Sequence, residues 1–190
     1  WIISICMLFL VGVYLAKNFD ESSGNIVDSR YLMVEEGALF VELESNDLFP
    51  NLIRNDGDVI LNEMVRLTDS ATLLAFPRLV VEPSETDSIE LKIIKRARGS
   101  KEQFAVENAN EIGYNYHIDG NKIYLSNYFT IPQDTKFRGQ NIKVVLKIPE
   151  GMELDFGDNI EDLMCSVRGE HDLNHTTWVN RKGRMINIIE

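Results

Sequence analysis

Residues 114–125 read YNYHIDGNKIYL, and this short stretch is the strongest structural signal in the chain. An Asp-Gly pair between two alternating apolar runs predicts a β-hairpin with a two-residue turn of type I′, in which both central residues have positive φ. The same alternation predicts that the apolar residues of the two strands share one face. These residues occupy every second position on the two sides of Asp119-Gly120: Tyr114, Tyr116, Ile118, Ile123 and Leu125.

The same period of two recurs outside the hairpin and extends the β prediction to most of the chain. Alternating apolar residues run through 39–43, 89–93 and 142–148, and a Pro-Glu-Gly sequence ends the last of these runs. Shorter candidate strands follow at intervals of about ten residues, which suits a β-sandwich, a roll or a short β-solenoid. The sequence therefore predicts a mainly β fold class. The shorter candidates cover residues 73–76, 79–82, 152–156, 176–179 and 184–189.

One short helix interrupts the predicted strands. Residues 100–103 (SKEQ) have the form of a capping box, in which Ser100 accepts from the third helical amide and Gln103 reaches back. Gly113 is predicted to cap the other end of the helix. The apolar residues between these two ends recur at helical spacing and predict a narrow apolar face: Phe104, Ala105, Ala109 and Ile112.

The N-terminal segment, residues 1–16, reads WIISICMLFLVGVYLA and contains no charged side chain. Because a membrane-spanning helix takes about 20 apolar residues, we interpret residues 1–17 as the end of a single transmembrane helix that begins further upstream. Residues 18–30 contain the segment DESSGNIVDS, which is typical of a solvated linker. The remaining residues, 31–190, then form the β domain.

The charges that follow the apolar segment indicate the orientation of the chain in the membrane. Lys17 is followed by Asp20 and Glu21, and no cluster of Lys or Arg is present there. Since basic residues gather on the cytoplasmic side of short loops, this flank favours the outer side of the membrane. We therefore expect a single-pass protein whose C-terminal domain is periplasmic or extracytoplasmic.

Composition and charge exclude several classes of protein. The chain has 190 residues, with 19 basic and 30 acidic side chains and a formal net charge of −11. This length suits one domain with an anchor. The acidic balance argues against nucleic acid as a partner, because phosphate binding needs a dense basic surface. Two cysteines, Cys6 and Cys165, cannot form a disulfide-rich scaffold.

His171 and His175 are the residues with the closest resemblance to a metal site. They are four positions apart, with Asp172 between them and Cys165 upstream, and on a helix both imidazoles would face one metal. However, the segment 169–177 (GEHDLNHTT) has the composition of a loop, and it lacks the glutamate of an HExxH pattern. We interpret both histidines as structural or solvent-facing.

The other reactive residues also lack the pattern that chemistry requires. Cys165 begins a predicted strand and is interpreted as a buried, inert thiol. Asn174-His175-Thr176 matches a glycosylation sequon, a pattern that is frequent by chance. We therefore predict no enzyme activity, with no catalytic, cofactor-binding or metal-ligating residue. A further group of acids lacks the spacing of a calcium loop: Asp155, Asp158, Glu161 and Asp162.

One dense basic run stands out against the acidic chain. It consists of Lys95, Arg96, Arg98 and Lys101, at the end of a predicted strand. Such a run usually marks a solvated face. It is also a candidate patch for an anionic partner such as lipid headgroups, a cell-wall polymer or an acidic protein.

Several motifs resemble those of one protein family. They are LKIIKRARG at 91–99, AVENANEI at 105–112, YNYHIDGNKIYL at 114–125, NYFTIP at 127–132 and VVLKIPEGM at 144–152. With NIEDL at 159–163 and TTWVNRKGRM at 176–185, this string resembles the C-terminal extracytoplasmic region of PspC-domain membrane proteins from Bacteroidetes-type bacteria. The resemblance covers residues 88–185.

The resemblance implies a location and a role. It implies a β-rich domain outside the bacterial cytoplasmic membrane, preceded by a PspC transmembrane module that this sequence does not include. It also implies a non-enzymatic part in envelope-stress sensing or regulation, through contacts with other envelope or membrane proteins. The family supplies no catalytic residues to transfer, and the oligomeric state stays open.

Three alternatives remain open at this stage. The first is a scaffold or adhesin-like module that binds cell-wall polysaccharide through stacked aromatic side chains. The second is a lipid-transport component with a periplasmic β-jellyroll, and the third is an envelope enzyme that uses the segment around His171 and His175. The stacking candidates of the first alternative are Tyr114, Tyr116, Tyr124, Tyr128, Phe129 and Trp178.

Overall fold

The computed structural model describes residues 22–33, 37–44, 65–67, 71–75, 77–158, 160, 163–167 and 173–188, together with Ser4 and Met7, which are helical. From residue 22 onward, the described residues form fourteen strands and one short α-helix, so the mainly β prediction is confirmed. The helix, α1, covers Glu102–Asn110. The strands are β1 (Ser22–Leu32), β2 (Leu39–Leu43), β3 (Val65–Leu67), β4 (Ala71–Ala75), β5 (Arg78–Pro83), β6 (Ile89–Gly99), β7 (Tyr116–Asp119), β8 (Lys122–Leu125), β9 (Tyr128–Pro132), β10 (Asn141–Ile148), β11 (Glu153–Phe156), β12 (Met164–Ser166), β13 (Thr177–Arg181) and β14 (Arg184–Ile188).

The strands assemble into three sheets of mixed direction. The five-stranded sheet has the order β1-β6-β10-β5-β12, the six-stranded sheet has the order β14-β13-β11-β2-β8-β7, and β3-β4-β9 form the third. In the five-stranded sheet, β5 is parallel to both β10 and β12, and in the six-stranded sheet β2 is parallel to both β8 and β11. Parallel neighbours need crossover connections rather than hairpins, which favours the solenoid-like alternative over an antiparallel sandwich.

One hydrophobic core joins the sheets. The five-stranded sheet contributes Leu91 and Val144, the six-stranded sheet contributes Val41 and Trp178, and β9 contributes Ile131. Each of these side chains is at most 2 % exposed, and a fully buried aliphatic or aromatic side chain contributes about 1.5–3 kcal/mol. Because both large sheets turn their inner faces to this core, their outer faces point to different sides of the domain.

Helix α1 packs on β1 and β6 through two glycines. A Cβ placed on Gly24 or on Gly99 would fall against the backbone of Ala105, closer than real Cβ atoms come. The predicted capping box is wrong, because Lys101 is the N-cap residue and no side chain caps the helix. The predicted apolar face is also wrong at Phe104, whose side chain is 46 % exposed. The other residues predicted for this face, Ala105, Ala109 and Ile112, are buried.

Strand β1 corrects the predicted domain boundary. It begins at Ser22 and pairs with β6 along all eleven of its residues, from Ser22 beside Gly99 to Leu32 beside Ile89. Residues 22–30 are therefore part of the β domain and not of a linker. Their polar composition fits a strand at the edge of a sheet, whose outer side chains are in water.

The predicted hairpin forms, but its turn is displaced by one residue. Tyr116 pairs with Leu125 and Ile118 with Ile123, so these four residues share one face, as the alternation predicts. Asp119 is already paired with Lys122, so the two turn residues are Gly120 and Asn121. Only the glycine has positive φ, at 57°, which is the pattern of a type II′ turn rather than type I′. The side chain of Asn121 ties the turn to β2 by donating to the carbonyl of Ala38 at 2.8 Å.

The predicted transmembrane helix at residues 1–17 lies outside the described residues, except for Ser4 and Met7. In the described part of the chain, no helix has both the length and the apolar character needed to cross a membrane.

Candidate functional site

The structure divides the basic run between two faces of β6. Arg96 and Arg98 are exposed, and the alternation of the strand places them on the outer face of the five-stranded sheet. Lys95 points to the opposite face, where its Nζ donates to the carbonyl oxygen of Ile112 at 2.6 Å. Lys101 is exposed beyond the end of the strand. The four residues therefore do not form one patch.

The pairing of β6, β10 and β5 instead places basic residues from all three strands side by side, and they form a larger basic surface on the outer face of the five-stranded sheet. Lys143 lies beside Ile94 on β6 and beside Arg78 on β5, so residues far apart in the chain share this face. Lys92 and Lys147 belong to it through the same pairings. We call this surface the basic face, and its members are Arg78, Lys92, Arg96, Arg98, Lys143 and Lys147.

Two acids on the same side, Glu82 and Glu90, leave the basic face with a net charge of 6 − 2 = +4, in a chain of net charge −11. Glu90 is 7 % exposed and is held between Lys92 at 2.9 Å and Lys147 at 3.4 Å. The hydrogen bond from Lys92 lowers the pKa of Glu90, and burial opposes this effect only in part. Glu90 is therefore ionised, and it orders one end of the face.

At the other end of the basic face, a loop presents an exposed phenylalanine between two bases. Phe137 is 69 % exposed and lies between Lys136 and Arg138. The side chain of Gln140, which is only 4 % exposed, accepts from the amide of Arg138 and donates to the carbonyl of Lys136 at 3.1 Å. The carbonyl of Arg138 in turn accepts from the amide of Arg98 at 2.9 Å. A buried side chain thus fixes this loop beside the basic face.

The aromatic residues proposed for polysaccharide stacking do not form one exposed row. Tyr128, Phe129 and Trp178 are buried, at 8 %, 4 % and 1 % exposure. Burial raises the pKa of the Tyr114 hydroxyl, which donates to the carbonyl of Ser126 at 3.0 Å. Tyr114, Tyr128, Phe129 and Trp178 thus pack in or against the core.

A second surface, on the outer face of the six-stranded sheet, combines aromatic and charged side chains. The ring of His117 stacks on that of Tyr124 with centroids 4.3 Å apart and an interplanar angle of 14°. Lys122 lies 5.7 Å from the centroid of the Phe40 ring and 3.0 Å from Glu42 Oε1. We call this group, with Glu44, the aromatic face.

The residues considered for chemistry are not brought together. Burial raises the pKa of Cys165 to about 12, so the thiol stays protonated at neutral pH.

His175 Nε2 lies 2.8 Å from Asp158 Oδ1, and both side chains are 74 % exposed. Of the acids considered for calcium, Asp155 lies on β11. The sequon residue Asn174 uses its side-chain Oδ1 to accept a hydrogen bond from the amide of Ile160 at 3.0 Å. Among the described residues, no group of three His, Cys, Asp or Glu side chains could hold a metal ion. Three other candidates, Glu161, Asp162 and His171, lie outside the described residues.

Comparison with known proteins gives one result. Residues 75–184 match a family described as a ToastRack found in some PspC proteins, which is more than half of the chain. No curated protein and no solved structure matches the chain.

Proposed function

Since the chain belongs to the toast-rack family found in some PspC proteins, we propose that it is the extracytoplasmic part of a membrane-anchored envelope-stress or regulatory protein. In this proposal the domain is not an enzyme. It acts by binding other envelope proteins outside the bacterial cytoplasmic membrane, to which residues 1–17 attach it. The family match is the observation that supports this proposal most directly.

The positions of the reactive side chains are consistent with a binding role. A nucleophilic cysteine needs a lowered pKa and a neighbouring base, whereas the thiol of Cys165 is buried and its pKa is raised. The His175–Asp158 pair is held in water and not in a desolvated cleft, and His175 occupies a loop position with φ of 54°. We therefore assign the function of the domain to its surfaces.

We assign the protein partner to the aromatic face. Aromatic side chains are enriched in protein interfaces because they bury a large area with few rotatable bonds. His117, Tyr124 and Phe40 offer such groups, and Glu42 and Glu44 surround them with negative charge. A partner with a basic rim and an apolar centre would complement this arrangement.

A photo-crosslinking amino acid at position 117, introduced in intact cells, tests the proposal. We expect one dominant crosslinked envelope protein, identified by mass spectrometry. Position 181 is the matched control, since Arg181 is exposed at the hairpin between β13 and β14 and away from the aromatic face. The absence of any protein crosslink at position 117, or the same products at both positions, would contradict the proposal.

The proposed location has a separate test. A reporter that is active only outside the cytoplasm should work when fused after Lys17 or at Glu190. Activity of a cytoplasm-only reporter at either fusion point would reverse the proposed orientation.

A further inference from the structure

Large apolar side chains in contact with water are concentrated at one side of the domain. From residue 22 onward, six described residues of this kind are exposed, and four of them adjoin the basic face. Val27 and Tyr31 lie on β1 beside Ile94 and Glu90, Met33 directly follows β1, and Phe137 lies in the loop beside Arg98. The face is therefore a basic surface with an apolar rim.

The loop that carries the exposed Phe137 is held by hydrogen bonds to its backbone. Gln140 holds the backbone on both sides of Phe137, and Gly139 has a positive φ of 63°, a conformation that glycine adopts without strain. Here the aromatic ring is kept in water between Lys136 and Arg138, which is how aromatic and basic side chains are arranged at membrane interfaces.

The path of the chain places this loop near the N-terminal segment. Strand β1 begins with Ser22 beside Gly99, at the end of β6 that also carries Arg98. Only residues 17–21 separate β1 from the apolar segment 1–16. In any conformation, the six steps from residue 16 to residue 22 span at most about 20 Å. If that segment is in a bilayer, as the proposed function requires, this end of the domain lies within about 20 Å of the membrane surface.

We propose that the basic face and the Lys136-Phe137-Arg138 loop dock on the anionic phospholipid surface of the membrane that anchors the chain. This inference rests on the proposed function and extends it, because it sets which side of the domain faces the membrane. Arg96 and Lys143 contact lipid phosphates, and the Phe137 ring enters the headgroup region. The aromatic face then remains available to a protein partner.

An acidic protein is the competing occupant of the basic face, and two observations favour lipid. The bases are spread over three adjacent strands of one sheet, β6, β10 and β5, so they suit an extended anionic plane better than a single acidic peptide. The apolar rim is also discontinuous, with Val27 and Phe137 on separate elements, whereas a protein interface has an apolar centre and a polar rim.

The test uses the full chain in lipid nanodiscs, with a photo-crosslinking amino acid in place of Phe137. One set of discs contains phosphatidylcholine alone and the other contains about 30 % phosphatidylglycerol. We expect the yield of lipid crosslinks to be at least about fivefold higher in the anionic discs at about 0.1 M salt, and to fall at about 0.5 M.

Charge-reversal variants make the test specific to the basic face. Arg96→Glu with Lys143→Glu should abolish the advantage of the anionic discs. Arg181→Glu with Arg184→Glu changes the net charge equally on the exposed β13–β14 hairpin and should leave the yield within about twofold of the unaltered chain. Circular dichroism of both double variants checks that they fold.

Each outcome has a defined meaning. Equal lipid crosslinking in both kinds of disc, or an unchanged yield in the Arg96→Glu/Lys143→Glu variant, would overturn the inference and leave the proposed function standing. A dominant protein crosslink from position 137 in intact cells would assign the basic face to an acidic protein instead. Failure of the full chain to incorporate into discs would overturn the membrane anchorage and, with it, this inference.

Discussion

Lys95 Nζ donates a hydrogen bond to the carbonyl oxygen of Ile112 at 2.6 Å, which joins the middle of β6 to the segment that follows α1. The neighbouring residue, Arg96, points to the opposite face of the same strand and into water. Two adjacent basic residues therefore have different roles, one in stability and one at the surface. Two equivalent substitutions can separate these roles.

Lys95→Met should destabilise the domain, whereas Arg96→Met should not. Replacing Lys95 leaves the Ile112 carbonyl, on a residue that is 1 % exposed, without its donor. An unsatisfied buried polar group costs about 1–3 kcal/mol, while a surface substitution usually changes stability by less than about 0.5 kcal/mol. Chemical unfolding of the two variants in parallel measures the difference. Equal midpoints would show that the hydrogen bond contributes nothing.

The position of β1 predicts where the chain can be shortened. A chain that begins at Asn18 keeps all of β1, and we expect it to fold. A chain that begins at Asp28 lacks the residues that pair with 94–99 and lacks Gly24, which α1 contacts. We expect amide exchange in residues 94–110 to become much faster in this shorter chain. Equal protection of these amides in both chains would show that the N-terminal half of β1 is dispensable.

Gly120→Val should destabilise the β7–β8 hairpin through its backbone and not through a steric clash. The glycine has φ of 57°, and no other group lies within 4 Å of the position that a Cβ would take. A β-branched residue at positive φ costs about 1–3 kcal/mol. Asp119→Asn changes a residue that precedes the turn and should have little effect. Thermal unfolding compares the two, and a large shift for Asp119→Asn alone would contradict the observed register.

The ion pairs of Glu90 with Lys92 and Lys147 should make the free energy of unfolding depend on pH. The pKa of Glu90 is lowered from the ordinary value of 4.5, chiefly by the hydrogen bond from Lys92, so folding favours the ionised form. The resulting stabilisation is fully present above about pH 4.5 and is lost as the pH falls through the lowered pKa of the folded state. Glu90→Gln should therefore reduce the free energy of unfolding at pH 7 by about 1 kcal/mol and have a smaller effect near pH 3. Unfolding of both proteins at the two pH values measures this, with Glu153→Gln on the exposed part of β11 as the control. A loss of the same size at both pH values would exclude the ion pair as its cause.

Local sequence patterns predicted the strands whose two faces differ most in polarity. β6, β10 and the β7–β8 hairpin alternate so regularly that period alone identifies them, and the shared face of Ile118 and Ile123 followed directly. β1 was missed because neither of its faces is consistently apolar: Asp28 and Arg30 lie on the face that also carries Ile26. Residue 24 on that face is a glycine, whose place is explained by its contact with α1 and not by burial of a side chain. The capping box was also wrong: the helix begins one residue later than it predicts, with Lys101 as the N-cap residue, and Ala105 packs on two glycines that the local pattern does not reveal.

The candidate site was less predictable than the fold, because it depends on register between distant strands. Arg78 and Lys143 are neighbours in space but 143 − 78 = 65 residues apart in the chain. Nothing local signals that contact, so the basic run appeared to be a patch of consecutive residues. The alternation of β6 was sufficient to separate Lys95 from Arg96 and Arg98. The wider basic face could be assembled only once the order β1-β6-β10-β5 was known.

The pairing of β1 with β6 also affects how the domain folds during synthesis. Partner residues in this ladder are separated by 89 − 32 = 57 to 99 − 22 = 77 positions. At about 5–20 residues per second, roughly 4–15 s pass between the synthesis of Ser22 and that of its partner Gly99. Contacts of such long range form slowly, and an unpaired apolar strand would meet other nascent chains during that time. The polar composition of β1, SSGNIVDSRYL, suits a segment that must stay unpaired in water until the rest of its sheet exists.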